Sequence, residues 1–527
     1  MNKTNYLFFV FFLSIFLLNG CVKNDDFDFD KIASSTWDPD IAMPLINSNL
    51  TIKDLIGIAD SGTFSIDPNH FVTLIYRNIL YSVHTPDLIT IPYQQDNQSI
   101  QLTTTDSTTL RTTYVDKIIN RTLPLNFPNN AILTSIGLRN AFLKIGIQSY
   151  IPLNGQLTVS IPSLSKNSIQ FIQTVNFTTI TGIPILQVDS FDLASYVIDL
   201  TTGSNQLGII YTARFNSPSS MPSRITALDF NITTSINEIT PSSVFGNLGN
   251  QQLTINEDTS RITFFDNLQN GSVFFQDPKI TISFSNSFGI PISLNITSIV
   301  AHNSNGTILP LSGYPSTVQL PIPAQPGLTA EDSIVLTPTN SNIQPGMAIN
   351  PNYIVYSLVA NTNSTLSGFV LDSSSFNAKV RIELPLRGYA SAFTVQDTAD
   401  FTLAKIENIE SAVFRINMSN GFPATSLNQI YFADSNYVVL DSMFMSSQNN
   451  MIQSAQIDNN GIVIAPTYKM SDEPFDSQRL NRLFSCKKLL LKSVIDTYDS
   501  PNRIVEIYDY YKTTIKIGVR IKLKIKL

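Results

Sequence analysis

Cysteine is almost missing from this 527-residue chain, which has only Cys21 and Cys486. A disulfide framework is therefore excluded, and stability must come from core burial. Histidine is as scarce, with His70, His84 and His302 alone. No His-Glu-x-x-His helix and no Cys/His spacing for zinc can be built from them. A Gly-x-Ser-x-Gly elbow and a Gly-x4-Gly-Lys-Ser/Thr phosphate loop are both absent. No catalytic residue, metal site or cofactor is read from the chain, and it is not expected to be an enzyme. A carboxylate pair spaced as in a glycoside hydrolase would be invisible in sequence, so a cryptic hydrolase stays as an alternative. Basic residues are outnumbered, 33 to 40, for a net charge of −7. That balance excludes the basic footprint of a nucleic-acid binder.

The N-terminus holds the one long apolar run. Lys3 precedes Leu7 to Leu18, twelve residues of which only Ser14 is polar. As a helix this run would rise about 18 Å, short of the roughly 30 Å hydrocarbon core, so it is read as the h-region of a signal peptide spanning residues 1–20. It ends in Leu18-Asn19-Gly20-Cys21, which resembles the lipobox of bacterial lipoproteins. The resemblance implies cleavage between Gly20 and Cys21, acylation of Cys21, and a lipid anchor as the membrane partner. Cleavage removes Lys3 and takes the charge from −7 to −8. Acylation leaves Cys486 without a partner in the chain, and a buried structural thiol is expected there.

Beyond Cys21 run Lys23, Asp25, Asp26, Asp28 and Asp30. This acidic stretch resembles the export tag of Bacteroidota lipoproteins carried to the outer face of the outer membrane. It equally suits a solvated tether, and the periplasmic leaflet remains the alternative location. The Asp alternation lacks the Gly and later Glu of a calcium loop. Trp37-Asp38-Pro39-Asp40-Ile41-Ala42-Met43-Pro44-Leu45-Ile46 is similar to the opening segment of uncharacterised Bacteroidota lipoproteins, a likeness without a mechanism.

Most of the remainder alternates apolar residues with Thr, Ser, Asn and Gln, broken by Pro, Gly and Asn, which predicts short strands. Asn154-Gly155, Asn270-Gly271, Asn305-Gly306, Asn420-Gly421 and Asn460-Gly461 suit tight hairpin turns and predict an antiparallel meander. Helix signals are few: Thr51 to Ile58, and a short helix through Phe484 capped by Asp476.

Three segments look alike. Asn140 to Pro152, Lys279 to Pro291 and Ala412 to Pro423 each combine an alternating strand, a polar or glycine turn, and an apolar-Pro step into a second strand. Their prolines lie 139 and 132 residues apart, a domain-sized period. The second copy, with Asp277-Pro278, Ile282-Ser283-Phe284-Ser285-Asn286 and Ile290-Pro291-Ile292, is similar to the core hairpin of the late-embryogenesis-abundant group 2 β-sandwich. That likeness implies an immunoglobulin-like sandwich with no catalytic site. The expected architecture is all-β: tandem immunoglobulin-like antiparallel sandwiches with few short helices. The expected segments are a signal peptide (1–20), an acylated flexible tether (21–45), an N-terminal β region (46–130), two sandwich-like domains (131–270 and 271–405) and a C-terminal β domain (406–527).

A structural, adhesive or interaction role follows as the leading expectation, with an envelope protein or glycan as possible partner. A glycan-binding accessory role in polysaccharide uptake is the alternative. For that role Trp37 is the only tryptophan, and Tyr508, Tyr510 and Tyr511 are the remaining aromatic cluster. At the C-terminus, Ile515, Ile517, Val519, Ile521, Leu523, Ile525 and Leu527 alternate with Lys516, Gly518, Arg520, Lys522, Lys524 and Lys526. This predicts an amphipathic last strand that closes the final sandwich with its cations in solvent.

Overall fold

Strict alternation forces side chains onto opposite faces of a strand, and strands dominate the computed structural model. It describes residues 36–526 except 38, 57–63, 86–89, 181, 203–204, 223, 251, 267, 363–365, 404, 406 and 447–449. Gly20, Cys21, Lys23, Asp25, Asp26, Asp28 and Asp30 lie outside the described residues. The fold is all-β and sandwich-like, with antiparallel pairing between strands and a few short helices.

The first sandwich is a ten-stranded sheet folded over on itself. Its spine is two long strands, Ile132–Ser149 and Asp229–Asn247, paired along their lengths with register shifts between Asn237 and Ser243 and again at Phe245/Gly246. Phe177, Phe215 and Phe230, from three different strands, meet at ring distances of 4.8 to 5.8 Å. Leu157, Val159 and Ile161 on Gly155–Lys166 are fully buried, as the alternation requires.

The middle sandwich packs two five-stranded sheets. One is built around Lys279–Asn286 and Ser375–Pro385, the other around Ile292–His302 and Tyr353–Thr362. Ile280, Ile282 and Phe284 share its core with Leu294, Ile296 and Tyr356. Each such side chain contributes roughly 1.5–3 kcal/mol on burial.

The last sandwich pairs a four-stranded sheet, in the order Asp40–Thr51, Lys512–Leu523, Ile409–Asn420, Thr467–Asp476, with a seven-stranded one that includes Leu268–Phe275, Arg387–Asp400, Lys488–Thr497 and Ala424–Ala433. The three bodies interlock. Gly368–Leu371 pairs with the first sandwich at Ser243 to Gly246, and Val72, Leu386 and Ile507 exchange backbone hydrogen bonds between the middle and last.

Strand pairing crosses the expected sequence divisions repeatedly: Gln94–Gln101 and Val115–Pro124 join the first sandwich, Gln252–Arg261 joins the middle one, and Arg387–Asp400 joins the last. Strand begins at Thr36–Trp37 and resumes at Asp40–Thr51, inside the segment expected to be a flexible tether, and the partners of both lie at the far C-terminus. Val72–His84 does not belong to a separate N-terminal region but adds to Ser375–Pro385 of the middle sandwich. Alternation specifies which face a strand buries and is silent about its partner, so none of these pairings had a local signal.

The Asn-Gly pairs also divide. Asn305-Gly306 and Asn460-Gly461 make turns between adjacent strands, with φ of 90° and 82° at the glycines. Asn270-Gly271 is a bulge within Leu268–Phe275, where a Cβ on Gly271 would sit 2.3 Å from the Ala392 carbonyl oxygen. Asn420-Gly421 and the segment from Asn286 to Pro291 are not hairpins. They carry the chain from one sheet to the facing one, because Lys279–Asn286 and Ile292–His302 belong to different sheets, as do Ile409–Asn420 and Ala424–Ala433. Two helices fall where read, Ile52–Ile56 and Ser477–Ser485 with the Asp476 carboxylate accepting from Arg479 N at 2.8 Å, whereas Thr104–Thr109 and Ile343–Ala348 were not expected.

Candidate functional site

The facing strands of the last sandwich bring aliphatic side chains together without closing over them. From the four-stranded sheet, Ile416 and Met418 point inward beside Ile515 and Ile517, their cross-strand neighbours. From the facing sheet, Ile430, Leu491 and Ile495 line the same space. At one end the layers meet tightly. Phe475 contacts Phe414 at 5.0 Å and Phe432 at 6.4 Å, and helix Ser477–Ser485 seals the core with Leu480 and Leu483. Toward the other end the sheets part around an apolar cleft of about 390 Å³. Ile430, Leu491, Ile495, Ile515 and Ile517 remain half-buried there, whereas equivalent positions of the first sandwich are fully covered.

Protein interiors contain few voids larger than a water molecule. At about 24 cal/mol per Å³, an enclosed apolar void of this size would cost on the order of 9 kcal/mol, comparable with the whole stability of a domain. The cleft is open to solvent and escapes most of that cost, but it leaves Ile430, Leu491, Ile495, Ile515 and Ile517 half-buried. Its inward polar group is a trio in which the Ser426 and Ser493 hydroxyls each donate to Asn428 Oδ1 at 2.7 Å.

Beyond the sealed end lies a buried ion cluster. Asp441, 3% exposed, accepts from Arg479 Nε at 3.1 Å and Nη2 at 2.9 Å and from Arg482 Nε at 2.8 Å. The Arg479 guanidinium also lies 3.6 Å over the Phe475 ring and reaches the Ser442 carbonyl. Burial alone would raise the Asp441 pKa, but the hydrogen bonds from Arg479, the Ser442 N–H and Arg482 overcome it and hold the carboxyl below the usual range. The partners are internal and the group is shielded, which suits a clasp and leaves no room for substrate. Cys486, the C-cap of the same helix, is fully buried, and burial pushes its thiol pKa up, as a structural thiol requires.

The aromatic cluster gathers one of the sequence-read histidines. Tyr510 stacks on Tyr508 at 5.5 Å and meets His70 edge-on at 5.9 Å, while His70 Nδ1 lies 3.1 Å from Asp509. Tyr508 and Tyr511 are committed to packing. Tyr508 donates to the Glu506 carboxylate at 2.6 Å, and the Tyr511 oxygen accepts from Val463 N at 2.9 Å. Tyr510 is the exposed ring, at 55%. His302 is elsewhere, stacked on Tyr353 at 5.0 Å, and His84 lies in the middle sandwich opposite Ser375. Among the described residues no three His, Cys, Asp or Glu side chains cluster in a way that could hold a metal ion, and no helix is long and apolar enough to cross a membrane.

The cleft was not legible beforehand. Ile416, Met418, Ile430, Ile495, Ile515 and Ile517 read as ordinary core positions, and alternation carries no information on how closely two sheets approach.

No protein-family model matches the chain, and no curated protein matches its sequence. Among solved structures, a Parabacteroides distasonis protein described as secreted is 15% identical over 51% of this chain and 82% of its own, with a TM-score of 0.27. A structure of infectious bursal disease virus, Gx strain, is 8% identical over 83% and 80%, with a TM-score of 0.14. An archaeal virus protein with a triple jelly roll is 10% identical over 81% and 95%, with a TM-score of 0.10. At scores this low none of them bears on fold or function.

Proposed function

We propose that the chain is a bacterial envelope lipoprotein, cleaved before Cys21, anchored in the outer membrane by acyl chains on that cysteine and displayed at the cell surface in a structural, adhesive or interaction role. The lipobox-like Leu18-Asn19-Gly20-Cys21 and the acidic run after it support the anchor and its outward placement. Strand Asp40–Thr51 begins shortly after that cysteine and lies in the last sandwich, so the anchored end of the body is the last sandwich. The first sandwich shares no sheet with the anchored strand.

The observation that carries an interaction role is on the first sandwich. Strands Ile169–Phe177 and Ile185–Asp192 each pair along one side only, and they expose Ile169 at 74%, Ile172 at 56%, Leu186 at 73% and Val188 at 70%. Phe171 and Phe191, one from each strand, are in ring contact at 6.1 Å, so the two edges sit at one rim. Open strand edges bearing large aliphatic side chains are surfaces that pair with another chain.

Beads coated with the mature protein test the reading against cells, alongside a variant with Lys at positions 169, 172, 186 and 188. Adhesion by the wild type and its loss in a variant of unchanged melting temperature is the expected result. Equal adhesion by both would remove the rim from the account, and full protection of the protein when intact cells are treated with protease would remove surface display.

The glycan-uptake alternative rests on the exposed ring of Tyr510 beside His70. Binding on a glycan array that Tyr510→Ala abolishes would favour it.

A further inference from the structure

We infer that the cleft of the last sandwich is a binding site for one linear monoacyl lipid with an uncharged carbonyl head, taken up as a free molecule. Three observations lead there.

The first is shape and chemistry. The walls are the inward faces of two sheets, which in a closed sandwich would pack about 10 Å apart and here part around the cleft. Their side chains at the cleft are mainly apolar, with Ile416 and Met418 on one wall, Ile430 and Ile495 on the other, and Phe264, Phe393, Phe422 and Phe444 along its border. An apolar slot between two sheets admits an extended alkyl chain.

The second is size. An apolar cavity of about 150 Å³ holds benzene, so one of this chain's volume holds about sixteen carbons by the same measure. The volume also lies within the range of small-molecule sites.

The third is the polar group. Asn428 uses one Nδ2 hydrogen on the Ser426 carbonyl at 3.4 Å, and its Oδ1 takes both serine hydroxyls. The remaining amide hydrogen can donate to a carbonyl oxygen, and the hydroxyls can still accept. Two cations border the cleft, Arg387 and Lys492, and neither is placed at the trio. Lys492 lies on the opposite face of its strand from Leu491 and Ser493, opposite Gln396 and Gln429, and Arg387 is held by Glu506 at 3.2 Å. Without a cation at the trio the head that fits is an ester or other uncharged carbonyl, not a carboxylate.

The chains on Cys21 are the other source of acyl groups. They are needed in the bilayer, where stable anchoring takes more than one chain, and this favours a free lipid as the occupant.

The experiment uses the mature chain with Cys21→Ser and reads displacement of bound Nile red by 1-monopalmitoylglycerol. Displacement is expected at a concentration at least about tenfold lower than for 1-monooctanoylglycerol, because the longer chain buries more methylenes. Palmitate at pH 8 should be weaker than the glyceride. Ile416→Trp fills the slot and should abolish displacement. Ile495→Phe, at a half-buried position less able to disturb folding, should weaken it at an unchanged melting temperature, and Ser493→Val should reduce the preference for the glyceride over palmitate. Acylated protein in nanodiscs should bind equally. Absence of displacement, equal binding by Ile495→Phe, or tighter binding of palmitate would overturn the assignment. Binding by Cys21→Ser that the acylated protein lacks would mean that the anchor's own chain occupies the slot, which overturns the free-lipid source.

Discussion

Asn286 and Asn420 hold the same corner in two different sandwiches. Each side-chain oxygen accepts from the backbone N–H two residues on, Phe288 N and Phe422 N, both at 3.0 Å. Each amide then donates to two carbonyls, those of Phe288 and Pro321 in the middle sandwich and those of Ala424 and Gln453 in the last. Both are buried, and each is followed by a buried phenylalanine. Ser149 makes a lesser version, accepting from Ile151 N at 3.0 Å and donating to the Asp229 carbonyl at 3.1 Å. The Asn286 and Asn420 corners turn the chain from one sheet to the facing one, whereas the strands on either side of Ser149 belong to the one folded sheet.

Replacing either asparagine with alanine would leave buried backbone groups without partners. Asn286→Ala and Asn420→Ala should each cost about 1–3 kcal/mol in chemical denaturation, with Ser149→Ala toward the lower end. Unchanged midpoints for both asparagine variants would show that the corners are held by packing alone.

The Asp441 clasp should make the last sandwich sensitive to acid. Its folded pKa is depressed, so its stabilising contribution is complete above the unfolded value of about 4 and is lost as pH falls through the lower folded value. Asp441→Asn leaves Arg479 buried against a neutral amide and should cost about 3–5 kcal/mol at pH 7, with a shallower loss of stability below pH 4 than in the wild type. Thermal melts from pH 3 to 7 read both effects, and parallel pH profiles for the two proteins would contradict this role.

The final strand carries its apolar face inward, with Val519 and Ile521 buried and Lys516 and Arg520 exposed. It lies inside its sheet and not at the edge, between Asp40–Thr51 and Ile409–Asn420. Deleting residues 515–527 should thus unfold the last sandwich, seen as loss of its cooperative transition. Lys516→Gln with Arg520→Gln should keep the melting temperature within about 2 °C and lower solubility, since neither side chain is buried. A truncated protein with an intact transition would show that the strand is dispensable.

Much of this was legible. The alternation at Leu157, Val159 and Ile161 or at Ile515 to Leu523 fixes strand and face, and Asp476 announces its helix by cap chemistry. The likeness among the Pro152, Pro291 and Pro423 segments marked real corners, although the crossing between layers was mistaken for a hairpin because a turn residue looks alike in both. Strand partners were not legible. Asp40–Thr51 meets Lys512–Leu523, and Val72–His84 meets Ser375–Pro385, through contacts far apart in sequence for which period-two patterning holds no address. The cleft was hidden for a related reason, since Ile430 and Ile495 carry the same pattern whether the facing sheet is close or splayed.

The central claim, an envelope protein held by its N-terminal cysteine, is tested most directly by intact and peptide mass spectrometry of the mature N-terminus purified from membranes. The mature chain is expected to begin at Cys21 and to bear acyl chains on it, with Cys21→Ser releasing the body from the membrane fraction. A mature chain that retains Leu7 to Leu18, or that begins elsewhere with Cys21 unmodified, would contradict it.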